Sequence, residues 1–333
     1  MARRRTSGSF TRKLLTAVLA LVAALAVSEI VVRAFSFDWR YAKKLLYYQN
    51  ADLDAHEPVD DPELLFRLKP GDYSFETHHV FVNRSRARSP ERPPAKPAGA
   101  FRVLVYGGSN VYGSLLEDDR TWPAQLEHKL AATHRTPIEV WNFGTSSYVS
   151  GQMARLAEIT DRALAADVVL LAMTNAGSRA FLMGRPVEPL FAKYPQLWRE
   201  LVIPSRLHKL PGGLDTTLLR HWRFYRLTML AATEKVGPAR QVDEQRMEDE
   251  NIDKIRRYIF QAKKYTQVAM FICPAASAEI FKYHHENLDI PVCTLTAAGK
   301  PEEYGKLHPP AHVMAWYADE LAAWMDRSLH LPD

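Results

Sequence analysis

Cysteine is nearly absent: the 333 residues hold two, Cys273 and Cys293. Two thiols with no histidine cluster near them do not make a zinc site, so no metal is expected. An exported location would permit a disulfide between them, and both lie near the last two expected strands. Excess charge is also in short supply. Lys and Arg number 43 against 38 Asp and Glu, a formal net of +5. No recognisable nucleic-acid-binding module follows the Arg-rich N-terminus, so no nucleic-acid partner is expected, and no cofactor either. No internal repeat is evident, which argues against a repeat architecture.

One long apolar run is present. Arg3, Arg4, Arg5, Arg12 and Lys13 precede a stretch from Leu14 to Phe35 that is interrupted late, by Glu29 and Arg33. A basic flank on the N-terminal side places that side in the cytoplasm. Spanning takes about 17–25 residues, which the run reaches if Glu29 and Arg33 lie near the outer interface. The alternative is a cleaved signal peptide, because Ala24-Leu25-Ala26 resembles a small-residue cleavage site. Apolar residues continue past Ala26, which favours a retained single-pass anchor. Both readings put the globular part outside the cytoplasm, on the periplasmic or extracellular side of a bacterial cytoplasmic membrane; a basic, buried cytosolic helix is the third reading of the run.

The organisation expected is a basic N-terminus over residues 1–13, the anchor or signal segment over 14–35, and a connector and lead-in over 36–99. An α/β domain then fills 100–333, broken by an insertion at about 178–240. The domain shows a strand–helix rhythm. Strands are expected at Phe101–Tyr106, Ile138–Phe143, Asp167–Met173, Gln267–Ile272 and Val292–Leu295. Helices are expected at Thr121–Thr133, Gln152–Leu164, Glu244–Lys264 and Ala311–Met325. The nearly continuous apolar strand at 167–173 suits a parallel sheet covered on both faces. The insertion has Pro186, Pro189, Pro195, Pro204 and Pro211 among aromatic and basic residues. It reads as a cap on a cleft, a surface beside the membrane, or an ordinary partly helical insertion.

Chemistry-bearing residues fall at the ends of these strands. Ser109 follows Gly107-Gly108 at the first strand-to-helix turn, where its hydroxyl can stand above the sheet and backbone N–H groups can face developing negative charge. A helix-capping serine is the plainer reading. Asn142-Phe143-Gly144 ends the second strand, and Gly144 can bring an N–H close to a reacting carbonyl. Asn175 ends the third, where its amide can donate to an oxyanion. His308 immediately precedes the last helix and is a candidate base for Ser109.

The order Gly107-Gly108-Ser109, Thr121-Trp122-Pro123, Asn142-Phe143-Gly144, Asn175 and His308 resembles the SGNH or GDSL-type hydrolase family. With the Asp61-Pro62-Glu63-Leu64 and Lys69-Pro70 lead-in and the N-terminal apolar segment, it is most similar to the membrane-anchored bacterial branch. The resemblance implies an α/β three-layer sandwich with a mostly parallel central sheet, preceded by a single N-terminal transmembrane helix. It implies Ser109 as nucleophile, His308 as base, and Gly144 and Asn175 as oxyanion donors. The activity implied is a serine esterase or acyltransferase on an O-acylated glycan, lipid or envelope component.

The chain departs from that pattern twice. Ala176 stands where an Asp usually follows the third-block Asn. Gly305 stands where the acid that orients the histidine normally lies, and without it the imidazole loses tautomer control. Glu302 and Glu303 are the nearest possible substitute acids. A catalytically weak or inactive member serving as accessory subunit of a membrane-protein complex is therefore the alternative function.

Overall fold

The computed structural model describes residues 7–49, 51–174, 177, 181–184, 187–276 and 288–333. In chain order the principal helices are α1 (Ser7–Phe35), α2 (Phe37–Leu45), α3 (Ser109–Tyr112), α4 (Trp122–Thr133), α5 (Ser150–Thr160), α6 (Gly212–His221), α7 (Arg223–Val236), α8 (Glu244–Ala262) and α9 (Ala311–Ser328). The strands of the main sheet are β1 (Phe101–Tyr106), β2 (Ile138–Asn142), β3 (Val168–Met173), β4 (Gln267–Ile272) and β5 (Val292–Thr294). The chain divides into two compact units, residues 47–187 with 244–333, and residues 1–46 with 188–243.

In the larger unit the five strands are all parallel, in the order β5-β4-β3-β1-β2. Parallel strands need crossover connections, and helices supply them on both faces. Helices α4 and α9 pack together on one face, and α5 and α8 on the other. Both faces are thus covered, and β3 is buried at every position. The core between the sheet and the α4–α9 layer contains Val103, Val105, Leu170, Phe271, Trp122, Leu126, Met314, Tyr317 and Leu321. Burying each such side chain is worth about 1.5–3 kcal/mol, which fixes the sheet and hence the strand ends. Cys273 and Cys293 are both buried and unpaired.

Residues 47–99 add small antiparallel pairs, Gly71–Ser74 with His79–Val82 and His56–Pro58 with Phe66–Leu68. Within the lead-in, residues 71–82 therefore form a hairpin, reversed by a turn in which the Phe75 N–H donates to the His78 carbonyl at 2.9 Å. Beyond it, Arg88 has a fully buried guanidinium that donates to the Tyr112 and Gly113 carbonyls at 2.8 and 2.9 Å and to Asp118 at 2.6 Å. It thereby satisfies the C-terminal carbonyls of α3, the short helix that opens with Ser109.

In the smaller unit, Trp39, Phe191 and Trp198 form an aromatic core, with ring centroids 4.6–5.8 Å apart. The Arg226 guanidinium lies over the Trp198 ring and donates to buried Asp38 at 2.8 Å. The alternation of expected elements fails across this segment because α7 packs on α1 and α2, with α6 against α7. Within α1, Phe10–Phe35 is long and apolar enough to cross a membrane, and among the described residues no other helix is.

Candidate active site

The sheet reverses its winding between β1 and β3, since β2 lies beyond β1 on one side and β4 beyond β3 on the other. In parallel α/β sheets this switch point opens a crevice at the strands' C-terminal ends. Ser109 stands there, after β1, as the first residue of α3.

Its turn is built by close approach. A Cβ on Gly107 would fall 2.0 Å from Val111 Cγ2, so only glycine lets the chain double back so tightly. Of the N–H groups in α3, those of Val111 and Tyr112 donate to the Gly108 carbonyl at 3.1 and 3.0 Å, and that of Ser109 opens the helix.

His308 Nε2 lies 2.7 Å from Ser109 Oγ. The residue is exposed overall, yet partial desolvation lowers its pKa below the ordinary histidine value. The neutral imidazole is thus favoured near neutral pH, with a lone pair available to take the Ser109 proton. The structure therefore joins residues 199 apart in sequence into a serine–imidazole pair.

The loop that holds His308 is fixed from below. Asn110 is buried, and its Nδ2 donates to the Leu307 carbonyl at 3.1 Å. Its Oδ1 accepts from Trp122 Nε1 at 3.2 Å. Asn110 was not among the residues expected to matter. Its only signal in the sequence is its position between nucleophile and core helix.

Gly144 sits hard against α3, where a Cβ would lie 2.2 Å from the Tyr112 nitrogen and 2.5 Å from the Val111 carbonyl carbon. Its N–H donates to Asn142 Oδ1 at 2.9 Å, while Asn142 Nδ2 donates to the Val111 carbonyl at 2.8 Å. The expected oxyanion donor is thus engaged in its own turn, because the Asn142 amide bridges that turn to α3. Asn175, the other expected donor, and Ala176 lie outside the described residues.

Neither possible substitute acid meets the imidazole. Glu302 is almost fully exposed and faces Lys306 at 3.8 Å, while Glu303 faces His312 at 3.6 Å. Both sit in a short helical turn, Glu302–Gly305, from which their side chains face Lys306 and His312. Among the described residues, His308 has no hydrogen-bond partner other than Ser109. Gly305 leaves open space instead, with Ala297 Cβ at 3.9 Å the nearest atom to a Cβ placed there.

No family model matches the chain, and no curated protein matches it. Solved structures do. One is a protein assigned to the G-D-S-L lipolytic family from Desulfitobacterium hafniense DCB-2, at 11% identity over 67% of this chain and 98% of that one, TM-score 0.38. Another is a two-domain esterase active on acetylated mannans, co-crystallised with mannopentaose, at 13% identity over 69% and 50%, TM-score 0.41. A third is a catalytic mutant of an acetylxylan esterase from Geobacillus stearothermophilus, at 11% identity over 69% and 94%, TM-score 0.34. With a parallel five-stranded sheet covered by helices on both faces, and with Ser109 and His308 paired at its switch point, the chain has a three-layer α/β fold.

Proposed function

We propose that the chain is an exported, membrane-anchored serine esterase or acyltransferase acting on an O-acylated glycan or envelope component. The observation behind this reading is the 2.7 Å contact between Ser109 Oγ and His308 Nε2. Ser109 Oγ attacks the acyl carbonyl carbon while its proton passes to His308 Nε2. The oxyanion of the tetrahedral intermediate faces the Ser109 N–H, and the Gly144 N–H joins by releasing Asn142 Oδ1. His308 returns the proton to the departing alcohol, leaving an acyl group on Ser109. Water then completes hydrolysis, or an acceptor hydroxyl completes transfer.

The glycan or envelope substrate follows from the family resemblance, and export follows from the basic residues ahead of the apolar helix. The continued apolar sequence beyond Ala26 supports a retained anchor over a cleaved signal. A second reading, an accessory subunit of a membrane-protein complex with weak or no catalysis, draws on Gly305 and on the engagement of Glu302 and Glu303 elsewhere. It needs no working nucleophile.

An activated serine probe, read by intact mass and peptide mapping on detergent-solubilised full-length protein, separates the two. Labelling at Ser109 that disappears in Ser109→Ala is expected. His308→Ala should slow it by roughly 10²–10⁴-fold, the usual worth of general base catalysis. Folded protein that stays unlabelled by probes of several sizes would establish the accessory reading.

A further inference from the structure

The smaller unit holds charged groups at a height on α1 where a membrane has no water to offer. From Leu14 to Glu29 the helix rises about 22 Å, and to Arg33 about 28 Å. The hydrocarbon layer is about 30 Å thick, so with Leu14 at its inner edge Glu29 lies several ångströms inside the outer edge. A bare carboxylate there is costly.

Glu29 is not bare. It accepts from the Arg223 N–H at 3.1 Å and the Phe224 N–H at 2.7 Å, the first N–H groups of α7, and it pairs with Arg33 at 2.6 Å. Arg33 in turn donates to the His221 carbonyl at the end of α6. The α6–α7 junction therefore stands beside α1 at the level of Glu29 and Arg33. From there α7 follows the chain outward: Arg226 meets Asp38, and Glu234 meets Tyr41.

The junction has the composition of a lipid–water boundary. Trp222 and Tyr225 stack with centroids 6.4 Å apart, both half-buried, beside half-buried Phe224. Exposed Arg220 and His221 precede them. On the α1 side, Phe35 and Phe37 stack at 5.5 Å, with the Arg40 guanidinium over the Phe37 ring. Amphipathic aromatic rings settle at the headgroup level, and basic side chains meet lipid phosphates.

We infer that the α6–α7 junction is seated at the outer headgroup boundary of a phospholipid bilayer, with Phe224 in the hydrocarbon beside Glu29, Trp222 at its edge and Arg220 toward the headgroup phosphates. The smaller unit is then an interfacial collar around the end of the anchor, holding the chain at a fixed depth. The inference rests on the reading of α1 as a retained membrane span, and the test separates the two.

Full-length protein carrying one environment-sensitive fluorophore is reconstituted into phosphatidylethanolamine–phosphatidylglycerol vesicles, with spin-labelled lipids as quenchers at headgroup or deep acyl positions. Labels are placed through Trp222→Cys, Arg220→Cys, Leu19→Cys and Lys235→Cys. The native cysteines are buried, and a sample without an introduced cysteine sets the background.

Quenching at 19 by deep quenchers, at 222 and 220 by headgroup quenchers, and at neither depth for 235 is the expected pattern. Deep quenching at 19 with labels at 222 and 220 as water-exposed as at 235 would overturn the collar and leave the anchor standing. No quenching at 19 would overturn both. The exposed 220 site keeps the test decisive if the change at Trp222 disturbs folding.

Discussion

Asn110 Nδ2 donates to the Leu307 carbonyl, joining the residue after Ser109 to the residue before His308. An exposed histidine with no second partner would otherwise be set only by its own loop. The buried amide supplies the missing constraint through the backbone, so Asn110 acts as a positioning residue for His308. Asn110→Asp keeps an acceptor for Trp122 Nε1 but has no N–H for Leu307. It should label at Ser109 about 10-fold more slowly or worse, a loss of about 1.4 kcal/mol, and its melting temperature should fall as well, because a carboxylate then lies buried against the Leu307 carbonyl. Asn110→Ala also strands the buried indole N–H and should cost about 1–3 kcal/mol of stability in denaturant titration. An Asn110→Asp rate equal to wild type would show that the loop is held by other contacts.

The lowered pKa of His308 sets a pH dependence. Only the neutral ring accepts the Ser109 proton, and desolvation disfavours the charged form. As pH falls, the labelling rate should therefore hold down to a point below the ordinary histidine pKa and only then decline. A rate profile of wild-type protein, with His308→Ala flat over the same range, checks this. A midpoint above the ordinary value would mean that a carboxylate reaches the ring.

The open space at Gly305 invites a gain-of-function test. Gly305→Asp places a carboxylate three residues before His308 with no steric obstacle at Cβ. Losing the orienting acid lowers turnover by about 10⁴-fold in a worked Ser-His-Asp triad, so recovering part of that should speed labelling on the order of 10-fold or more. Its acid limb should also move to higher pH, because a neighbouring anion favours the protonated ring. A rate and limb unchanged from wild type would show that this position does not face Nδ1.

Gly144 is constrained by backbone, not by flexible side chains. Gly144→Ala puts a methyl 2.2 Å from the Tyr112 nitrogen, and α3 cannot retreat without losing the Arg88 bonds to its last carbonyls. Overpacking of this kind costs on the order of 3 kcal/mol, enough to lower Tm by several degrees and to displace Ser109. Thermal unfolding and probe labelling of the variant should fall together.

Much of the larger unit is legible in the sequence because buried parallel strands are short apolar runs. Phe101–Tyr106 and Gln267–Ile272 appear where the pattern puts them, and β3 differs only at its first residue. Helix ends drift by a few residues, as at Ser150–Thr160, because fraying and capping leave little trace in composition. The Ser109–His308 pair is legible only as two glycine- or proline-marked loops in a suggestive order, and the fold supplies the distance.

Other features are not legible because a long-range partner decides them. Asn142 reads as a turn residue until its amide is seen bridging Gly144 and Val111. Arg88 carries no signal in the lead-in until its guanidinium is seen bonded to the last carbonyls of α3. The smaller unit hides most, since its segments lie some 150 residues apart and neither has enough apolar periodicity to announce the other.

The pair of buried thiols bears on how the protein can be made. Phe271 pairs with Cys293 across β4 and β5, and Cys273 follows just beyond, so both sulfurs belong to the packed interior without joining. Burial pushes both above the ordinary thiol pKa, which keeps them protonated and slow toward oxidants. Folding of the sheet therefore draws nothing from an oxidising compartment or its isomerases. The same core should form in a reducing cytosol, and the melting temperature should be indifferent to dithiothreitol.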